Sequence, residues 1–247
     1  MFSEFLQYLF TGATIGATYA LIALGFTLIY NASHVINFAQ GEFVMIGGMT
    51  TVALTGMGMP MIVAVVLAVI LASVLGLALQ RLAIAPAKQA DVVTLIIITI
   101  GASIFIRGIA QVVWGKEYHS MPNFSATQSL EVFGAVLNSQ SLWVFGIGAV
   151  LVVALVLFFT RTLSGKAILA TSMNKEAARL VGIRTQVVLM LAFMVSAFLG
   201  SVAGIVVAPI TFTSYDIGII LGLKGFVAAA IGGLGSGVGA IVGGLAL

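Results

Sequence analysis

The chain has 247 residues, no cysteine and only 7% charged residues. Without cysteine there is no disulfide, no thiolate nucleophile and no cysteine metal site. A soluble domain carries roughly 25% charged side chains, so this composition excludes an ordinary water-soluble fold. Histidine is almost as scarce, with His34 and His119 alone. They form no His-Glu-x-x-His pair and no metal-ligand cluster. The glycine-rich run at residues 232–237 lacks the Gly-Lys-Ser/Thr ending of a phosphate loop, so ATP hydrolysis by that route is excluded. Ser236 has Leu234 and Val238 at −2 and +2, which is no nucleophile elbow. No catalytic residue and no metal ligand is assigned, and the chain reads as a non-enzyme. The start, Met1-Phe2-Ser3-Glu4, lacks a basic n-region and a clear cleavage site, so the first apolar segment reads as an anchor.

What is present is apolar: 61% of the residues are hydrophobic. The expected fold class is all-α, a polytopic transmembrane helical bundle forming one domain over residues 1–247. Hydropathy sets spans at residues 5–30, 35–57, 60–79, 92–114, 141–159 and 187–207, the sixth stopping at Pro209. A last apolar stretch, 221–247, is broken by its glycines. That makes about seven spans, and the apolar ending at Leu247 suggests an eighth beyond it. Residues 115–140 form a polar loop on one side. Arg81 and Lys88 fall in one loop on the other side, and Arg161, Lys166, Lys175, Arg179 and Arg184 in a second. The positive-inside rule makes those two cytoplasmic, places the N-terminus outside and sets His34 at the inner surface. Arg107 is expected to snorkel outward. The net charge of +3 follows this loop pattern and does not indicate nucleic-acid binding.

Glycine pairs four apart occur at Gly12/Gly16, Gly200/Gly204 and Gly235/Gly239/Gly243, spacings that let helix backbones approach closely in a bilayer. Four glycines in the run at 232–237 predict a broken or re-entrant element. Residues 43–49 faintly echo residues 226–234, running the opposite way as inverted repeats do.

Two polar clusters stand out. Asn37, Gln40 and Glu42 place two amides and a carboxylate within six residues of a predicted span. Intramembrane polar groups are costly and normally face a bundle interior or a water-filled path. With helical geometry, Asn37 and Glu42 lie about 140° apart, and Glu42, eight positions from His34, sits nearer the cytoplasmic interface than the midplane. These residues either line or gate a pathway or pair with neighbouring helices. The second cluster, from Asn174 to Gly182, reads as a short helix. Asn174 is its N-cap, Glu176 lies in the first turn and Gly182 is a left-handed C-terminal cap. Ala177, Leu180 and Val181 form a small apolar face beside Lys175 and Arg179. So short a helix has little stability of its own and calls for a partner, either the bilayer interface or another protein.

Glu176-Ala177-Ala178-x-x-x-Gly182 resembles the EAA loop by which bacterial ABC-importer permeases dock their ATPase. Gly25-Phe26-Thr27-Leu28-Ile29-Tyr30, then Val35-Ile36-Asn37-Phe38-Ala39-Gln40-Gly41-Glu42-Phe43, is similar to the branched-chain amino-acid permease family. So are Gly165-Lys166, Gly222-Leu223-Lys224-Gly225-Phe226 and Gly232-Gly233-Leu234-Gly235-Ser236. Many relatives carry His where Gln40 stands. The resemblance implies a permease subunit in the bacterial inner membrane, importing branched-chain or other hydrophobic amino acids. Its partners would be a homologous second permease, two cytosolic ATPases and a periplasmic binding protein. No cofactor is expected in this chain; ATP and Mg would belong to the ATPases. Asn37, Phe38, Gln40, Glu42, Gly232, Gly233 and Gly235 would form the path or gate. Gly165, Lys166, Asn174, Glu176, Ala177, Ala178, Arg179 and Gly182, in the loop at residues 162–186, would dock the ATPase. A permease of the same family for urea or aromatic acids is the alternative. An autonomous ion-coupled transporter or channel is the rival from another class.

Overall fold

The fold is described by a computed structural model over residues 2–87, 90–125, 130–132 and 134–247. Lys88, one of the two basic residues of the first loop expected to be cytoplasmic, lies outside the described residues. Among the described residues, five helices are long and apolar enough to cross a bilayer. They are α1 (Phe2–Ser33), α3 (Met61–Leu79) with the π-helical turn Gln80–Ile84 that continues it, α4 (Val92–Trp114), α5 (Ser139–Arg161) and α8 (Thr185–Thr211). Between them and after them lie α2 (Gln40–Gly56), α6 (Leu163–Met173), α7 (Lys175–Leu180), α9 (Ile217–Ile231) and α10 (Gly237–Ala246). Among the described residues the regular structure is helical apart from an antiparallel hairpin between α4 and α5, β1 (Leu130–Val132) with β2 (Ala135–Leu137). Gln7 near the start of α1 brackets that hairpin, exchanging two bonds with the Val136 backbone at 3.0 and 2.7 Å.

α2 is the centre of the bundle, held between α8 and α9. Its residues are buried from Gln40 to Thr51. Ordinary side chains would not permit this packing. A Cβ on Gly204 would run into the carbonyl of Val44, and one on Gly47 into Ser201. The Gly200/Gly204 pair therefore works as its spacing predicted. Gly12/Gly16 works only in part: Gly16 abuts Gly244 of α10, whereas Gly12 faces open space. α4 and α5 stand at the periphery, with rows of exposed valine, isoleucine and phenylalanine.

The structure corrects three expected boundaries. The second span begins as a helix at Gln40, not at residue 35, because residues 34–39 are non-helical. Asn37 Oδ1 accepts from the Ala39 amide at 3.1 Å, an Asx-type bond that competes with helix. The expected sixth span, α8, runs past Pro209 to Thr211, since a proline in the last turn removes only one helical bond. The last stretch starts at Ile217, not at residue 221, and its expected break is a reversal between two short helices, α9 and α10. Gly232 packs on Gly239 and Gly243 on Ala228, and Gly233 and Gly235 take the positive φ values of 88° and 99° that the reversal requires.

Candidate translocation site

Two chain segments enter the bundle without helical structure and start helices inside it. From the end of the bundle nearer α7, residues 34–39 lead into α2. From the opposite end, residues 212–216 lead into α9, pinned at Thr213 by a two-way backbone bridge to His119, in the connection between α4 and α5. The two helix starts meet where Gly41 lies against Gly218 and Gly222, so closely that a Cβ on Gly218 would come within 2.6 Å of the Gly41 carbonyl. α2 then climbs beside α8, and α9 descends to the end of α1, where Asn31 Nδ2 donates to the Gly235 carbonyl at 2.9 Å. The opposed directions agree with the weak inverted echo between residues 43–49 and 226–234.

Glu42, in the first turn of α2, is 1% exposed and accepts a 2.7 Å hydrogen bond from Ser103 Oγ. Ser103 stands eleven residues from each end of α4 (Val92–Trp114), so Glu42 lies at mid-depth. The shallower position expected from its spacing to His34 assumed a helix. Non-helical residues advance about 3.3 Å each against 1.5 Å in a helix, so the chain climbs further per residue. A charged group at the bilayer centre costs about 3 kcal/mol on insertion scales. Ser103 partners one carboxylate oxygen, a bond worth roughly 1.5–3 kcal/mol when the acceptor is charged, while Oε2 is buried without a partner among the described residues.

A cavity of about 220 Å³ opens beside this pair, lined by Glu42, Ser103, Arg107, Phe26, Phe38 and Gly222 among others. Arg107 thus shares a cavity with Glu42, where the sequence suggested an outward snorkel. Phe38 lies 5.6 Å from Phe226 between ring centroids, and Phe226 lies 5.9 Å from Phe26. On the α7 side of residue 38 a second cavity, of about 130 Å³, is lined by Asn37, Thr99, Gln80, Thr185, Lys175 and Arg179 among others. Adjacent residues, Asn37 and Phe38, therefore face different cavities, and the non-helical segment divides them. Its backbone is held by α4: the Phe38 amide donates to Thr99 Oγ1 at 3.2 Å.

Gln40 faces neither cavity. Its Nε2 donates to the Ser196 carbonyl at 3.1 Å, and its Oε1 lies 2.6 Å from Ser196 Oγ, which is 2.8 Å from the Gly25 carbonyl. It braces α2 against α1 and α8. Gly232, Gly233 and Gly235 likewise stand apart from Asn37, Phe38 and Glu42, in the α9–α10 reversal at the end of α1. Thr99, Ser103 and Arg107 went unselected in the sequence, although their four-residue spacing puts a polar stripe on one face of an apolar helix. Lys224 sits mid-way along α9 and donates to Tyr19 Oη at 2.9 Å.

The short helix α7 follows its sequence closely. Asn174 Oδ1 accepts from the Ala177 amide at 2.9 Å. At the other end Gly182, at φ 89°, donates to the Arg179 carbonyl, and Ile183 donates to that of Ala178. That pair of bonds is a Schellman motif. Ala178 is the buried residue, while Leu180 and Val181 are 89% and 77% exposed. Glu176 pairs with Arg179 at 3.0 Å, both of them exposed. Gly165 serves one step earlier: its missing side chain lets α6 turn tightly against Phe158 and Phe159, leaving Lys166 exposed.

Helices that start mid-membrane after non-helical segments, polar partners at mid-depth and cavities on both sides define a membrane transport protein of permease type. Residues 8–247 match the family described as branched-chain amino acid transport system / permease component, and the chain belongs to that family. The high-affinity branched-chain amino acid transport system permease protein LivH of Escherichia coli K12 is 34% identical over 261 aligned positions. These cover 100% of this chain and 84% of LivH. The corresponding BraD of Pseudomonas aeruginosa is 31% identical over 259 positions, covering 99% and 84%. The fructose import permease protein FruF of Bifidobacterium longum is 26% identical over 191 positions, covering 76% and 51%. No solved structure matches the chain.

Proposed function

We propose that this chain is the membrane permease subunit of an ABC importer in the bacterial cytoplasmic membrane. It would carry branched-chain or other hydrophobic amino acids received from a periplasmic binding protein. The observation that carries this reading is the division of the bundle by residues 34–39. One cavity lies above the dividing segment, and another lies below it with Lys175 and Arg179 of α7 in its wall. Motion of α7 would reach the divide through that wall. The exposed apolar pair Leu180 and Val181 beside Glu176 and Arg179 suits docking of a cytosolic ATPase, which would supply ATP hydrolysis with its own Mg. A homologous second permease and two ATPases complete the assembly.

The cargo class is supported by the names of LivH and BraD and by the aromatic cluster of Phe26, Phe38 and Phe226, which suits an apolar side chain. Aromatic acids suit the same surface, and urea suits it less. Purification of the subunit from its native membrane in mild detergent, with mass spectrometry of what accompanies it, tests the assembly. ATP-dependent uptake of radiolabelled leucine into proteoliposomes bearing the recovered complex tests the activity. A stoichiometric ATPase and ATP-driven leucine uptake are expected. Uptake by the subunit alone, driven by an ion gradient, would instead favour the autonomous transporter, to which the buried Glu42 is equally suited.

A further inference from the structure

The cytoplasmic cavity holds two buried side-chain atoms of opposite hydrogen-bonding sense, and neither has a partner among the described residues. Asn37 is 1% exposed and Gln80 2% exposed, and both line the cavity. Asn37 Nδ2 and Gln80 Oε1 make no hydrogen bond. Asn37 spends its other atom, Oδ1, on the Ala39 amide, so the side chain is locked with its donor free. Such an unsatisfied atom costs about 1–3 kcal/mol, and although Thr27, Glu42, Thr50, His119 and Ser201 also hold one, none of those five lines this cavity. Finding a donor and an acceptor on one cavity wall therefore requires an explanation.

Gln80 also opens the π-helical turn Gln80–Ile84, its carbonyl accepting from the Ala85 amide at 2.7 Å in place of a regular helical bond. π-turns occur frequently at functional sites, and here the turn offsets Gln80 from the regular course of α3. The apolar part of the wall is made by Ile29, Ile84, Leu189 and Phe193 among others, Ser33, Thr99, Thr185 and Gln186 add neutral polar groups, and the basic residues are Lys175 and Arg179 of α7.

We propose that this cavity is a cytoplasm-side binding subsite for the zwitterion of a small aliphatic amino acid. Gln80 Oε1 accepts from the ammonium group, and Asn37 Nδ2 donates to the carboxylate. The apolar wall takes the side chain, and Lys175 and Arg179 draw the carboxylate outward. This rests on the transport reading above and adds to it where the cargo halts before release. An occupant here touches both the dividing segment and the docking helix. Amino acid accumulated in the cytosol would therefore hold the subunit in one state and slow further import.

The test uses the whole complex purified through this subunit and placed in nanodiscs without binding protein or nucleotide. Binding of radiolabelled leucine is measured, with isoamylamine (no carboxylate) and 4-methylvalerate (no ammonium) as competitors. Leucine is expected to bind at least about tenfold more tightly than either analogue, the scale of one lost hydrogen bond to a charged group. Gln80→Met keeps the size of the side chain and removes the amide. It should weaken leucine about tenfold and abolish the preference for leucine over 4-methylvalerate. Asn37→Asp keeps the bond to the Ala39 amide and removes the donor. It should abolish the preference for leucine over isoamylamine.

Changes in preference report contact with the ligand, since a variant that merely loosened the fold would weaken all three ligands alike. Both variants retaining wild-type preferences would overturn the subsite. So would wild-type complexes that import leucine yet bind none here, with the transport reading left standing. Wild-type complexes that lack ATP-driven leucine uptake would overturn that reading and the subsite together.

Discussion

At the scale of single residues, the molecule depends on side chains that are missing. Gly41 and Gly218 allow two helix starts to touch, and a Cβ on Gly41 would occupy the space of the Gly218 carbonyl. Gly41→Val should therefore cost about 3 kcal/mol or more, as overpacking of a close-packed site does. Gly12→Val, at a position with open space around it, should change stability by less than about 0.5 kcal/mol. Thermal unfolding of both variants in the same detergent checks the pair, and equal losses would remove the special standing given to Gly41. Glu42 is a separate case, because its 2.7 Å bond from Ser103 serves a polar group that the fold does not otherwise need. Glu42→Gln is expected to leave assembly intact while lowering ATP-coupled leucine uptake at least about tenfold. Unchanged uptake and unchanged ATPase coupling would make Glu42 a helix-pairing residue only.

At the scale of elements, α7 shows how a very short helix is specified. Asn174 caps one end, the Schellman bonds at Gly182 and Ile183 close the other, and little of its surface is buried. Asn174→Ala should loosen this helix by about 1 kcal/mol. Gly182→Ala would place an L-residue at φ 89°, costing roughly 1–2 kcal/mol. Both should weaken ATPase association modestly. Glu176→Lys would break the Glu176–Arg179 pair and reverse a surface charge, so it should abolish association; co-purification with the ATPase reads all three. An ATPase that stays bound to a folded Glu176→Lys complex would move the docking surface elsewhere. This helix was legible in the sequence because its determinants are local: a cap, a glycine and a charge pattern within nine positions. The break before α2 was not. Val35 to Ala39 are apolar except for Asn37, and hydropathy cannot tell a helix from an extended strand of equal polarity. The decisive bonds come from Asn37 itself and from Thr99, 61 positions away. The α9–α10 hairpin was half legible: four glycines announced a break, but only the packing of Gly232 on Gly239 makes it a reversal.

At the scale of the whole molecule, the two cavities share one wall, and transport requires that wall to open to each side in turn. If residues 37 and 38 form the gate, fixing Phe38 to α9 should stop passage without disturbing anything on the cytoplasmic surface. The chain offers a direct way to do this, since it contains no cysteine and any introduced pair is the only thiol pair in the subunit. Phe38 and Phe226 are suitable positions, with ring centroids 5.6 Å apart and no part in the α7 surface. In the double variant Phe38→Cys/Phe226→Cys, a short bis-methanethiosulfonate reagent should join α9 to the dividing segment. ATP-driven leucine uptake should fall to background and return on reduction. The ATPase should remain bound throughout, because α7 and its caps are untouched. Each single-cysteine variant treated in the same way controls for lost aromatic packing. Full cross-linking with undiminished uptake would place the pathway away from this wall. The two cavities would then be packing defects of a broken helix, and Glu42, Asn37 and Gln80 would lose their common purpose.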